Sequence, residues 1–397
     1  MDSYLPSSRE NAFEIDRNRL ISVYFKLGFT YNEITAFLKK CHGFKLSVRQ
    51  LKRVLQSKGL RRRRQKSPLQ DVLNAVRDEL NGSGNSVGYR QMHRRIIIDH
   101  SFVIDRETVR IILQHLDPAG VERRSRRTFR RRIYSTKGPN YLWHLDGYDK
   151  LKPFGFPIHG CIDGFSRRIL WLRVAHSNNN PRVISSFFLS CIKETKGIPR
   201  IVRGDRGTEN VNVAGLQRFF RRNSLDSMAG NKSFLYGRSV SNQRIEAWWS
   251  FLRKSETDWW IKFFRDLADM IHLDCIKFCF TAVIQNELTR IAKHWNLHKI
   301  RLCANAESHP GRPDVLYFLP QLHDAVDYKI TVPDDELSIA EESCCESIPE
   351  TGCRSEFQEL ASLIMEDEDL QYPTTPQEAT LLYLKLLGSI SNIDNRD

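Results

Sequence analysis

Long hydrophobic runs are missing from this 397-residue sequence. No stretch approaches the roughly 20 apolar residues that a membrane-spanning helix needs. The first residues, MDSYLPSSRENAFEIDRN, lack the apolar core of a secretory signal. We therefore expect an intracellular chain without a membrane partner. With 41% hydrophobic residues, the chain can bury the cores of two or three ordinary domains.

Paired cysteines are missing too. The nine cysteines are odd in number and form no CxxC motif, so the sequence predicts neither a disulfide framework nor a zinc ribbon. A free thiol packs like a small apolar group. We expect reduced cysteines, most of them buried.

The charge is basic overall and unevenly distributed. The net charge is +14, but residues 331–397 hold 16 acidic and 3 basic side chains, a net of −13, which leaves +27 on residues 1–330. A polyanion is the natural partner of the basic residues 1–330, because each phosphate that they neutralise releases counterions. Nucleic acid is the commonest polyanion inside cells, and we expect DNA.

Residues 14–64 are typical of a helix-turn-helix unit. Thr30 with Glu33 and Ser47 with Gln50 fit the capping box, in which two side chains satisfy the free amides of a first helical turn. The last helix places basic residues outward, and a basic run follows. The candidate DNA contacts here are Arg49, Lys52, Arg53, Arg61, Arg62, Arg63 and Arg64. A plain helical bundle with a solvated charged face is the alternative.

Residues 68–118 indicate a second unit of the same kind. The pattern gives helices at 68–80 and 88–98 and a third over 106–115 that Asp105 caps, with Arg106 and Arg110 outside. VGYR at 87–90 and ETVR at 107–110 resemble landmarks of the second helix-turn-helix in bacterial insertion-sequence transposases. An Arg-rich linker follows at 119–138, where seven of ten residues from 123 to 132 are arginine. Its candidate phosphate contacts are Arg126, Arg127, Arg130 and Arg131.

Residues 139–270 change from a helical to a strand-like pattern. Apolar strands are predicted at 141–146, 156–163 and 168–174, then a helix at 181–195 and a short strand at 199–202. Such a series describes an α/β domain in which helices pack on a mixed sheet. Two strands end in a carboxylate, Asp146 and Asp205, and Glu246 lies early on a later helix.

Four segments in this region resemble, in order, the landmarks of the retroviral-integrase-like catalytic core, a ribonuclease-H-like fold of integrases and transposases. They are WHLD at 143–146, IDGFSR at 162–167, GDRGTE at 204–209 and SNQRIE at 241–246. The resemblance implies a polynucleotidyl transferase that cleaves and joins DNA strands. It implies Asp146, Asp205 and Glu246 as catalytic metal ligands, while Asp163 looks like a structural turn residue.

The implied cofactor is a pair of Mg²⁺ or Mn²⁺ ions, which take oxygen ligands and can clamp the entering and leaving oxygens of a phosphodiester. Arg253 and Lys254 could follow the substrate backbone. Arg206 and Trp249 depart from the family pattern, and the retroviral zinc-binding His-His-Cys-Cys module is missing, since only Cys41 precedes residue 140. The helical units would then have to recognise DNA ends. We also expect a homo-oligomer, nuclear if the host is a eukaryote.

After the core we expect a helical extension at 271–330 and an acidic, partly disordered tail at 331–397 with one helix at 376–388. The tail could fold back on the basic body or bind a protein partner. Two alternatives to the integrase hypothesis stay open. One is a host protein derived from a mobile element that binds nucleic acid without catalysis, and the other is a nuclease that cuts without strand transfer.

Overall fold

The computed structural model describes residues 16–62, 66–125, 134–237, 242–267, 272–302, 309–346 and 351–394. Seven helices precede the sheet: α1 Arg17–Lys26, α2 Tyr31–His42, α3 Val48–Ser57, α4 Leu69–Asn81, α5 Tyr89–Ile98, α6 Arg106–Leu116 and α7 Pro118–Ser125. The strands are β1 Leu142–Tyr148, β2 Ile158–Asp163, β3 Ile169–Val174, β4 Ile201–Gly204 and β5 Phe234–Tyr236. The remaining helices are α8 Pro181–Thr195, α9 Val211–Phe220, α10 Gln243–Leu252, α11 Asp258–Asp266, α12 Leu273–Leu297, α13 Pro313–Phe318, α14 Asp334–Cys344, α15 Ser355–Asp367 and α16 Pro376–Asp394.

The first helical unit forms as its capping residues predict. The Thr30 hydroxyl accepts a hydrogen bond from the Glu33 amide while the Glu33 carboxylate accepts one from the Thr30 amide, and Ser47 and Gln50 repeat the arrangement. Both predicted capping boxes are confirmed. The core of α1 to α3 continues onto apolar residues of α12 and α13, so this unit is docked on the rest of the chain.

The second helical unit has a core of its own, built by α4, α5 and α6. Asp105 caps α6 by accepting from the Thr108 amide at 2.9 Å, as the sequence predicts. The turn after α4 is a short 3-10 helix at 83–86. The predicted Arg-rich linker at 119–138 includes most of α7, and residues 126–133 lie outside the described part of the chain.

A five-stranded mixed sheet with the strand order β3-β2-β1-β4-β5 forms the centre. β1, β2 and β3 are antiparallel neighbours, whereas β4 and β5 run parallel to β1. Helices α8 and α9 cover one face, and α10 and α12 pack on the other at the β1–β2–β3 half. This is the mixed sheet of a ribonuclease-H-like fold, as predicted. α12 is part of this core, although we had placed 271–330 in an extension.

The acidic C-terminal region is more ordered than its composition indicated. We expected a partly disordered tail with one helix at 376–388, but the described residues form three helices there, α14 to α16. α14 packs with α8 and α9, and α15 and α16 pack with α12. Buried side chains such as Phe357 and Tyr383 explain the difference, because they give the acidic helices apolar inner faces.

A buried ion-pair network joins the second helical unit to the sheet domain. Arg95 of α5, only 1% exposed, pairs with Glu79 of α4 and with Glu256. Glu256 belongs to a π-helical turn, Arg253–Thr257, that connects α10 to α11. Burial alone would lower the pKa of Arg95, but Glu256 and Glu79 more than offset it and hold the pKa above its usual value. Arg290 of α12 adds a further pair with Glu79.

The described helices include none that is both long enough and apolar enough to cross a bilayer.

Candidate active site

Asp146 lies near the carboxyl end of β1, and Asp205 directly follows β4, the strand parallel to it. β1 and β4 pair in a register that sets His144 opposite Arg203, two residues before each aspartate. Neighbouring strands are about 4.8 Å apart, so Asp146 and Asp205 are close in space, and the charge of Asp205 acts on Asp146.

Glu246 reaches the same edge because the start of α10 is tied to β1. Asn242, the residue before α10, donates from Nδ2 to the Leu145 carbonyl at 2.8 Å and faces His144 Nδ1 with its Oδ1 at 2.7 Å. Glu246 follows within the first helical turn. Glu246 and Asp205 both lie close enough to Asp146 for their charges to act on its carboxyl group.

His144 is the centre of a hydrogen-bonded chain beneath the site. Burial, together with the charges of Arg203 and Arg244, lowers its pKa to about 3, so the ring is neutral and carries one N–H. Because Asn242 presents an oxygen, the partners assign that hydrogen to Nδ1. Nε2 is then the acceptor for the Tyr134 hydroxyl at 2.7 Å. The chain runs from Tyr134 through His144 to Asn242 and fixes the first turn of α10.

The Asp146 carboxyl lies in a region of excess negative charge. Its pKa rises from 3.8 to about 7, first because of burial and then because of the charges of Glu246 and Asp205. The Trp249 indole opposes the rise by donating from Nε1 to Oδ2 at 3.0 Å. Two carboxyl groups that raise the pKa of a third favour a cation bound beside it.

Gly160 leaves room for the Trp249 ring on the sheet. Gly160 of β2 lies opposite Asp146, and a Cβ there would approach the Trp249 ring to 2.7 Å. The missing side chain lets the indole lie on the sheet, where it also stacks on Tyr148 with 4.9 Å between ring centroids. Trp249 thus buries its ring and presents its N–H to the site.

A fourth carboxyl group, Glu209, also lies at the site, and sequence reasoning left it out of the ligand set. Asp205 Oδ1 accepts from the Gly207 amide at 3.2 Å and from Asn210 Nδ2 at 2.8 Å. Asn210 Nδ2 also donates to Glu209 Oε1 at 3.2 Å. Burial and the nearby Asp205 raise the pKa of Glu209. The signal available in the sequence was its spacing, four residues after Asp205 in the same loop.

The geometry of the carboxyl groups is open. Among the described residues, no three His, Cys, Asp or Glu side chains lie close enough together to hold a metal ion. Asp146 and Asp205 instead use oxygens for hydrogen bonds to Trp249 and Asn210. The oxygen donors suit a hard divalent ion, and the raised pKa of Asp146 shows the charge that such an ion would neutralise.

Asp163, in contrast, has a structural role. Its side chain is fully buried, and it accepts from the Asn140 amide at 2.8 Å and from the amide and hydroxyl of Ser166, each at 2.7 Å. These bonds close the turn between β2 and β3, as predicted for a structural turn residue.

The candidate DNA contacts of the first helical unit divide into two groups. Arg49, Lys52 and Arg53 are exposed on α3. Arg61 is exposed as well. Arg62 packs on the Phe25 ring with 4.2 Å to its centroid and donates to the Phe29 carbonyl, so part of its bonding capacity serves this unit. Arg63 and Arg64 lie outside the described residues, as do Arg126, Arg127, Arg130 and Arg131.

The other candidate contacts differ in their pairing. Arg106 is exposed, but Arg110 forms an ion pair with Glu107 one turn earlier. Arg253 is exposed and pairs with Asp258 at 3.2 Å, and Lys254 is half-buried. Arg206, which departs from the family pattern, is also exposed.

The sheet order and the carboxylate edge define a ribonuclease-H-like domain. Residues 133–319 match the family model of the integrase core domain. The match extends beyond the range 139–270 that the sequence pattern gave, because α12 and α13 belong to the same unit. Domains of this family are typical of integrase- and transposase-like polynucleotidyl transferases. A search of curated proteins finds no match to this chain.

Proposed function

We propose that this protein is an integrase- or transposase-like polynucleotidyl transferase that acts on DNA. The observation that carries the proposal is the proximity of Asp205 and Glu246 to Asp146 within a segment that matches the integrase core domain. The register of β1 and β4 aligns the two aspartates, and both Glu246 and Asp205 raise the pKa of Asp146.

Asp146, Asp205 and Glu246 would hold two Mg²⁺ or Mn²⁺ ions. When bound, such ions activate an attacking hydroxyl and stabilise charge on the leaving oxygen of a phosphodiester. The chain's own contribution is positioning. The Trp249 indole donates a hydrogen bond to Oδ2 of Asp146 and not to Oδ1. Asn242 keeps α10 against β1 by donating to the Leu145 carbonyl.

DNA is the proposed substrate because residues 1–330 carry a net charge of +27. The exposed face of α3 with Arg49, Lys52 and Arg53, the exposed Arg106, and Arg253 with Lys254 beside the site would contact phosphates. The Arg-rich segment would add further contacts. A homo-oligomer, and a nuclear location in a eukaryotic host, remain part of this proposal.

A nicking and strand-transfer assay with Mg²⁺ or Mn²⁺ tests the proposal. The wild type should cleave or join labelled DNA, and Asp205→Asn should abolish this activity while leaving DNA binding intact. Asp78→Asn, at an exposed position on α4, is the matched control and should behave as the wild type. Activity that survives Asp205→Asn would remove the mechanism.

A binding protein without catalysis is the second candidate. The observation that favours it is the open arrangement of the carboxyl groups, in which Trp249 and Asn210 take up oxygens that a metal would need. DNA binding by the wild type, with no cleavage or joining under either metal, would support this candidate over the first.

A further inference from the structure

A pocket of about 400 Å³ lies at the amino end of β1, and no residue of the triad lines it. The segment 134–137 forms one wall, and β1 and β4 form the other. Its lining residues are Tyr134, Ser135, Thr136, Lys137, Tyr141, Leu142 and Arg203. Arg203 connects the pocket to the carboxylates, because it precedes Asp205 by two residues, about 7 Å along a strand.

The lining has the chemistry of an anion site. Two cations, Lys137 and Arg203, flank it, and the described residues that line it include no carboxylate. The Thr136 hydroxyl is buried and has no hydrogen-bond partner within the described part of the chain. A buried hydroxyl without a partner is unusual, and a phosphate oxygen would supply one.

The aromatic residues of the pocket are already engaged, which argues against a base as the ligand. The Tyr141 ring has the Lys137 ammonium at 5.4 Å and the Arg200 guanidinium at 5.8 Å from its centroid, and Tyr328 packs on its edge. Tyr134 is used by His144 and by Arg244, whose guanidinium lies 4.0 Å from the ring centroid. The other polar groups of the lining are cations and hydroxyls, which suit an anion.

We propose that this pocket binds a phosphodiester group of DNA. On the same strand, this group is the neighbour of the phosphodiester group that reaches the carboxylates. The inference rests on the proposed function, because it assigns part of the substrate to a subsite. Lys137 and Arg203 neutralise the phosphate, and the Thr136 hydroxyl donates to it. The occupied pocket would also order the wall that holds Tyr134, and through His144 and Asn242 the start of α10.

Equilibrium binding without metal tests the subsite separately from catalysis. Fluorescence anisotropy with a labelled DNA duplex, in EDTA and over a salt series, compares Lys137→Gln with Lys385→Gln. Lys137 and Lys385 are both exposed, and Lys385 lies on α16 far along the chain. Lys137→Gln should reduce the slope of log affinity against log salt by about one, as expected for one lost phosphate contact, and Lys385→Gln should leave it unchanged.

Thr136→Val supplies a second variant of nearly the same shape and the same charge. It should weaken DNA binding several-fold with an unchanged salt slope. If the wild type binds DNA and neither Lys137→Gln nor Thr136→Val differs from Lys385→Gln, the subsite is refuted while the proposed function stands. If the wild type binds no DNA, the proposed function itself fails.

Discussion

Replacing Asp146 with asparagine should stabilise the protein at neutral and alkaline pH when no divalent ion is present. The pKa of Asp146 rises from 3.8 to about 7 on folding, so between these values the folded chain keeps a proton that the unfolded chain has released. The free energy of unfolding therefore falls as the pH rises from about 4 to about 7. Asparagine removes the charge and keeps an oxygen that can accept from Trp249.

The size of the effect follows from the same pKa values. A difference of about three between the folded and unfolded pKa of Asp146 corresponds to about 4 kcal/mol, at about 1.36 kcal/mol for each pKa unit. Solvent reaches part of the carboxyl group and screens it, so we expect about half of this, ~2 kcal/mol. For a domain of this size, that gain raises the melting temperature by about 4 to 8 °C.

Thermal unfolding in EDTA at about pH 8 and about pH 4.5 measures this effect. The Asp146→Asn variant should melt above the wild type at the higher pH and close to it at the lower pH. Mg²⁺ should stabilise the wild type and have little effect on the variant. Asp78→Asn serves as the control and should show no pH-dependent gain. A variant that melts at or below the wild-type temperature at pH 8 would refute the clustering of negative charge around Asp146.

Three further predictions concern the surroundings of the site. Trp249→Phe keeps an aromatic ring but removes the donor to Asp146, so the pH at which Mg²⁺ binding is half-maximal should rise; an unchanged pH midpoint would contradict the role of the indole. Gly160→Ala places a methyl group against the Trp249 ring and should lower the free energy of unfolding in urea by about 1–3 kcal/mol, whereas wild-type stability would show that the ring moves freely. Arg95→Met removes the ion-pair partner of the buried Glu256 and one of the partners of Glu79, and it should destabilise the fold by about 3–5 kcal/mol. Denaturant unfolding against Arg90→Met, on the exposed face of the same helix, measures this effect, and equal stabilities would contradict it.

Local signals in the sequence predicted local structure well. The capping boxes at Thr30 and Ser47 form, and α8 spans the predicted residues 181–195. Hydroxyl caps and apolar periodicity act within a few residues, so they can be recognised in a single sequence. The ordered family landmarks likewise predicted the mixed sheet and the integrase core that residues 133–319 match.

Interactions between distant parts of the chain could not be predicted in the same way. His144 and Asn242 are 98 residues apart, and Trp249 was noted only as a departure from the family pattern, although it donates to Asp146. The sequence around Trp249 or around His144 does not indicate the partner of that residue. The acidic helices α14 to α16 were underestimated for a related reason, since charge content conceals a narrow apolar face.

The Arg95–Glu256 pair has a consequence for the proposed action on DNA. Glu256 lies ten residues after Glu246 on continuous helical backbone, so the second helical unit is joined by a buried ion pair to the helix that carries Glu246. If the second helical unit binds DNA and Glu246 is catalytic, as proposed, the protein itself sets the distance between the bound duplex and the bond that is cut. DNA that occupies both places would then have to match that distance or bend to meet it.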